Sequence, residues 1–184
     1  MFGQCEKLES ISIDPSNQYY TTMDGVLYDK SMETLKQYPG GYPSDSFTIP
    51  SAVKTIELNA FSSILKLKTV VIPDSVTTIS DGAFTCPGYE AILTKISFGS
   101  GLTTITGEHP FICNHFYDKN GKELAQTPAN LRGHTFSGQK SAYLVIDDGT
   151  SGGGEEIGAT TAYAALAALF LVLLVCLTPW NKFD

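Results

Sequence analysis

Two fifteen-residue segments of this chain repeat in register, and that repetition limits the fold more than any other feature. FTIPSAVKTIELNAF begins at Phe47 and VVIPDSVTTISDGAF begins at Val70, an offset of 23. A third segment, ISFGSGLTTITGEHPF, keeps the apolar positions as Ile96, Phe98, Leu102 and Ile105. The lead-ins match too: LESISI from Leu8, LKTVVI from Leu67 and LTKISF from Leu93. A period of this size marks a stacked solenoid, in which no unit covers its own apolar side and its neighbours above and below do so.

Each unit reads as one coil of that stack. Val70 and Ile72 alternate at period two, so both face one side of a short strand. Pro73 has no amide donor and ends the strand. Val76 and Ile79 turn inward after the corner, and Ala83-Phe84 close the back. The shared register predicts an inward set of Ile11, Ile13, Ile49, Val53, Ile56, Phe61, Val70, Ile72, Val76, Ile79, Phe84, Ile96, Phe98, Leu102 and Ile105. The alternate strand positions then face out: Ser46 and Thr48, Thr69 and Val71, Lys95 and Ser97, with Ser10 and Ser12 as earlier equivalents. Thr55, Thr78 and Thr104 form a second ladder just before the inner isoleucines. Such Ser/Thr rows suit either a solubilising sheet face or a polar recognition surface, and three coils make that face about 15 Å tall at the strand spacing.

The pattern I-P-x-x-V-x-x-I-x-x-x-A-F, present twice within Phe47–Phe84, resembles the BspA-like class of leucine-rich repeats. YTTMDGVLYDKSMETLKQYPGG, from Tyr20, is similar to a hairpin that commonly interrupts the coils of that family, here at about residues 19–41. Phe2 to Leu8 resembles the joint between coils with Met1 in its alanine position, so the chain is expected to begin inside a coil. MFGQCEKLES has neither the basic nor the apolar region of a signal peptide. The third unit departs from the family: Gly99 replaces the proline and EHPF the xxAF corner. The resemblance implies a mainly β, leucine-rich-repeat-type β solenoid of right-handed type over residues 1–111. It also implies adhesion to host or microbial proteins; the outward strand positions, free of packing duty and aligned by the stack, are the expected contact.

Residues 112–146 are expected to form a small β module. Asn120-Gly121 in HFYDKNGKEL is a two-residue hairpin signal, and GHTFSG and AYLVI supply two more strand candidates. The FYDKNGKEL…LRGHTFSG pattern resembles a β module that follows such repeats in some archaeal surface proteins. Residues 147–159, rich in glycine and acid, read as a flexible linker. Ala162 to Leu177 is then sixteen residues without a charge. With its flanks it is long enough to cross a bilayer as a helix of about 20 residues, taken as residues 160–178 before a tail at 179–184. Trp180 suits an interfacial anchor and Pro179 a helix end. Lys182 beyond it, against Asp147, Asp148, Glu155 and Glu156 before it, favours the repeats outside the membrane. A buried core helix and a cleaved lipid-anchor signal beginning near Ser151 are the alternatives.

Chemistry-bearing patterns are scarce. A net charge of −7, with 12 scattered basic residues, excludes a nucleic-acid footprint. His109, His115 and His134 have no metal-ligand spacing and read as loop or surface residues. Asp118-Lys119-Asn120-Gly121 places its glycine too early for an EF-hand and reads as a hairpin turn. Gly152 to Gly154 lacks the Lys-Ser/Thr of a phosphate loop. No nucleophile elbow or acid–base constellation is present, so no enzyme activity, cofactor or metal is expected. Cys86 and Cys113 occupy matching corners, close enough in adjacent coils for a disulfide, although buried free thiols fit as well. The expected partners are therefore an extracellular protein and the lipid bilayer, and the alternative to a surface interaction protein is a non-binding stalk of a longer one.

Overall fold

The computed structural model describes residues 5–85, 92–138 and 143–148. Three coils stack along one axis, and each gives one strand to each of two sheets. The first coil holds β4 (Ser46–Thr48) and β5 (Thr55–Ile56), the second β6 (Thr69–Ile72) and β7 (Thr78–Ile79), the third β8 (Lys95–Phe98) and β9 (Thr104–Ile105). All pairings between coils are parallel. Ser46 pairs Thr69 and Thr69 pairs Lys95, while Thr55 pairs Thr78 and Thr78 pairs Thr104. The step is thus 23 residues and then 26, and Pro73 directly follows the last residue of β6 as its missing donor requires.

The third coil shows why its sequence departs from the pattern. Gly99 and Gly101 lie flat against Pro73 and Asp74 of the coil below, so that a Cβ at either would land on backbone atoms. Asp74 accepts hydrogen bonds at Oδ1 from the backbone N–H and the hydroxyl of Ser100, at 2.6 and 3.1 Å. At the opposite corner, Pro110 takes the alanine position. The N–H of Tyr38, Phe61 and Phe84 donates in turn to the carbonyl of Ala60, Ala83 and Pro110. Behind this ladder Tyr38, Phe61, Phe84 and Phe111 form one column, with successive centroids 5.2, 4.5 and 4.3 Å apart and near-parallel rings.

Thirteen of the fifteen inward positions are buried, and Val53, Ile56, Phe61, Val70, Val76, Ile79 and Ile96 are fully enclosed. Ile13 and Ile105 are only half-buried. Ile105 lies on the last rung of its sheet among the described residues. Ile13 lies in residues 8–14, which take no regular strand, so Ser10 and Ser12 do not extend the outer face as expected. That segment lies along the interruption instead: the Ile11 N–H donates to the Gly25 carbonyl at 2.8 Å, and the Leu8 carbonyl accepts the Gly41 N–H at 2.9 Å.

The interruption at residues 19–41 is a meander of β1 (Tyr20–Met23), β2 (Val26–Asp29) and β3 (Thr34–Gln37), antiparallel throughout. Its last strand turns parallel to β5, with Leu35 beside Ile56, and becomes a rung of the solenoid. The smaller sheet therefore runs β1-β2-β3-β5-β7-β9.

Residues 112–138 and 143–147 continue the larger sheet and close the second end of the stack. β10 (His115–Tyr117), β11 (Glu123–Leu124), β12 (Thr135–Ser137) and β13 (Tyr143–Asp147) give the order β11-β10-β13-β12-β8-β6-β4. β12 runs antiparallel to β8 and lays Phe136 opposite Ile96. Phe98, Phe111, Phe116 and Phe136 interlock edge to face beneath it. Both expected strands in GHTFSG and AYLVI are present, and a short helix, α1 (Pro128–Leu131), precedes the first. The hairpin at Asn120-Gly121 has a five-residue loop rather than a two-residue one, because Tyr117 pairs with Glu123. Asp118 Oδ1 caps that loop by accepting the backbone N–H of Asn120 and Lys122. Asp147, expected to open the linker, is the last residue of β13.

Among the described residues no helix is long and apolar enough to cross a membrane. Residues 149–184, which hold the rest of the expected linker, the membrane helix and the tail, lie outside the described residues, and so does Cys86. Its corner partner Cys113 is buried, and Phe84 pairs in parallel with Phe111.

Candidate functional site

The outward positions of the larger sheet form two continuous rows. In one, Ser46, Thr69, Lys95 and Ser137 follow one another across β4, β6, β8 and β12. In the other, Thr48, Val71, Ser97 and Thr135 do the same. All six residues anticipated from the repeat register are thus in these rows. Ser46, Thr48 and Lys95 are exposed, and Thr69, Val71 and Ser97 half-buried. Alternation puts their chain neighbours Val70, Ile72, Ile96 and Phe98 in the core, so the packed isoleucines hold the outer side chains at fixed spacing.

The face extends past the three coils. Ser137 pairs with Val145 and Thr135 with Asp147 on β13, which in turn pairs with β10. Seven strands give a height of about 34 Å at the inter-strand spacing, more than twice the expected height. These added strands bring in residues that the repeat register does not reach, because β12 runs against the direction of the coils. Asp147 Oδ2 lies 4.0 Å from Lys95 Nζ and accepts a hydrogen bond from Ser137 Oγ at 3.3 Å. Lys95 is therefore not an isolated charge on this face. Thr135 Oγ1 donates to Ser97 Oγ at 3.0 Å.

Beyond Asp147 the face becomes aromatic. Tyr143 stacks on His115 with centroids 6.0 Å apart and lies the same distance from Tyr117. His115 Nδ1 is 2.7 Å from Glu123 Oε1. Burial pushes the Tyr117 phenol up to about 12, with smaller contributions from the negative charge of Glu123 and from Tyr143. His109 and His134 are exposed, in the loop after β9 and just before β12. Among the described residues no three His, Cys, Asp or Glu side chains gather closely enough to hold a metal ion. What the face presents is short hydroxyls, one balanced ion pair and an aromatic margin, a surface able to exchange hydrogen bonds and stack.

Residues 41–147 match the family model described as BspA type leucine rich repeat region (6 copies). That is 107 of 184 residues, and it reaches through β13, so the segment expected as a separate β module lies within it. A leucine-rich repeat protein from Eubacterium ventriosum is 35% identical, over 58% of this chain and 28% of its own, with a TM-score of 0.53. A leucine rich cell surface protein from Faecalibacterium prausnitzii is 32% identical over 58% of this chain and 25% of its own, at a TM-score of 0.41. The pneumococcal vaccine antigen PcpA is 18% identical over 55% of this chain and 30% of its own, at 0.43. The chain thus spans at most 30% of the length of these structures. No curated protein matches it. Parallel rungs in register, an Ala-Phe corner repeated coil on coil and a family match over more than half of the residues agree: this chain belongs to the BspA-type leucine-rich repeat family.

Proposed function

We propose that the chain is a non-enzymatic protein-interaction scaffold displayed at a cell surface, whose outer sheet face docks an extracellular protein. The observation that carries this reading is the pair of outward rows, Ser46-Thr69-Lys95-Ser137 and Thr48-Val71-Ser97-Thr135. These positions have no packing duty, yet the core aligns them into one surface. Specific docking needs a wide and well-ordered patch, and seven strands supply more of it than three coils would. Display rests on the apolar segment 162–177, which is long enough with its flanks to hold the repeats at a bilayer as a single-pass anchor.

The test of docking is binding of the full chain to extracellular proteins and whole cells, set against Thr48→Glu and Thr69→Glu versions. Each places a carboxylate on a face whose one ion pair is already balanced, so both should lose binding. Retention of binding by both rules the face out, and no binding by any version leaves the stalk reading. The test of display is protease added to intact expressing cells, which should remove residues 1–150. Full protection overturns the orientation, and release by a phosphatidylinositol-specific phospholipase replaces the helix with a lipid anchor.

A further inference from the structure

A second surface lies at the closed end of the stack, where the loop after β9 meets the edge strand β11. A groove of about 690 Å³ runs between them. Its apolar lining is Ile112, 45% exposed, with Leu124 and Ala125, and its polar rim carries Glu108, His109 and the pair His115–Glu123. No Lys or Arg is among the described residues that line it. The apolar surface continues outward, since the Cδ1 atoms of Ile112 and of Leu58, 57% exposed, both border Gly82.

The groove is built in advance. Gln126 ties its walls together, accepting the Phe111 N–H at Oε1 and donating through Nε2 to the carbonyls of Phe111 and Asn114, each at 3.0 Å. The loop on the other side is pinned by Asp81, whose Oδ1 accepts the His109 N–H at 3.0 Å. A preformed wall costs no ordering when a ligand arrives. β11 also ends the larger sheet among the described residues. An edge strand presents backbone donors and acceptors to any extended chain laid beside it.

We propose that this groove binds an extended peptide segment of a partner protein in which aliphatic side chains alternate with Lys or Arg. The aliphatic groups cover Ile112 and Leu124, the basic groups meet Glu108 and Glu123, and the backbone lies along β11. Charge complementarity selects this occupant: a rim with Glu108, a second carboxylate shared with His115 and no Lys or Arg repels acidic segments. The groove adjoins the aromatic margin of the outer sheet face, sharing His115 and Glu123 with it, and stands at the opposite end of that sheet from Thr48 on β4.

Three fluorescein-labelled hexapeptides test this against the full chain in detergent: alternating Val-Lys, alternating Val-Glu and alternating Ser-Lys. Fluorescence anisotropy should show Val-Lys binding at least tenfold tighter than the other two and weakening as salt is raised. Ile112→Ser and Glu108→Lys should each weaken it at least fivefold, with an unchanged circular dichroism spectrum because both side chains are exposed. Glu108→Gln should weaken it less, and Thr48→Glu should leave it alone. Equal binding of all three peptides, or Val-Lys binding untouched by both Ile112→Ser and Glu108→Lys, overturns the proposal. So does a dimer in sedimentation that Ile112→Ser dissolves, which would assign the groove to a second copy of the chain.

Discussion

Tyr38 is enclosed at the head of the aromatic column, and its hydroxyl has no hydrogen-bond partner among the described residues. An enclosed, unpaired polar atom costs on the order of 1–3 kcal/mol. Tyr38→Phe keeps the ring that stacks on Phe61 and removes that atom, so it should raise stability by about 1 kcal/mol in urea unfolding with an unchanged slope. A loss would mean that the hydroxyl has a partner. The tyrosines also determine the alkaline limit. Burial pushes the phenols of Tyr28 and Tyr38 up, and that of Tyr117 to about 12. The folded state therefore holds these protons more tightly than the unfolded chain, whose phenols titrate near 10. Their contribution is complete below about pH 10 and is lost as the pH rises through the raised folded-state values, about 12 for Tyr117. Urea midpoints should stay level from pH 8 to 9.5 and fall above 10, and Tyr117→Phe should remove part of that fall.

Elements here are too short to stand alone, since β5, β7 and β9 have two residues each. What holds them is contact between coils. Phe84 lies between Phe61 at 4.5 Å and Phe111 at 4.3 Å, so Phe84→Ala opens a cavity in the middle of the column. The expected loss is about 3–5 kcal/mol, checked by chemical denaturation. Ile79→Asp should cost a similar amount, roughly 3–5 kcal/mol, by leaving a charge in a fully buried site. A loss near zero in either would mean that the coils do not stack through these residues.

For the whole molecule the last strands matter as much as the repeats. A solenoid needs its final apolar layer covered, and here Phe116, Phe136 and Leu144 cover it, all fully buried. A chain stopped after Ile112 should lose cooperative unfolding and elute as aggregate in gel filtration, because Ile96, Phe98 and Phe111 would lose that cover. Phe136→Ala in the full chain should weaken folding by about 3 kcal/mol without aggregation. A soluble, cooperatively folded truncation would show that the coils close themselves.

The repeat was legible in the residues because a solenoid uses one local rule over and over. Alternation at Val70 and Ile72, the stop at Pro73 and the Ala-Phe corner each depend on neighbours a few positions away, and periodicity exposes them. That reasoning found thirteen of the fifteen inner positions, the six outward residues and the ladder of Thr55, Thr78 and Thr104. It could not reach what depends on contacts between distant, non-repeating segments. The antiparallel seating of β12 on β8, the placement of Asp147 beside Lys95 and the docking of Ile11 on Gly25 have no period to betray them. They follow from the free energy of covering the open ends of an apolar stack, and that cost exists only once the stack is built.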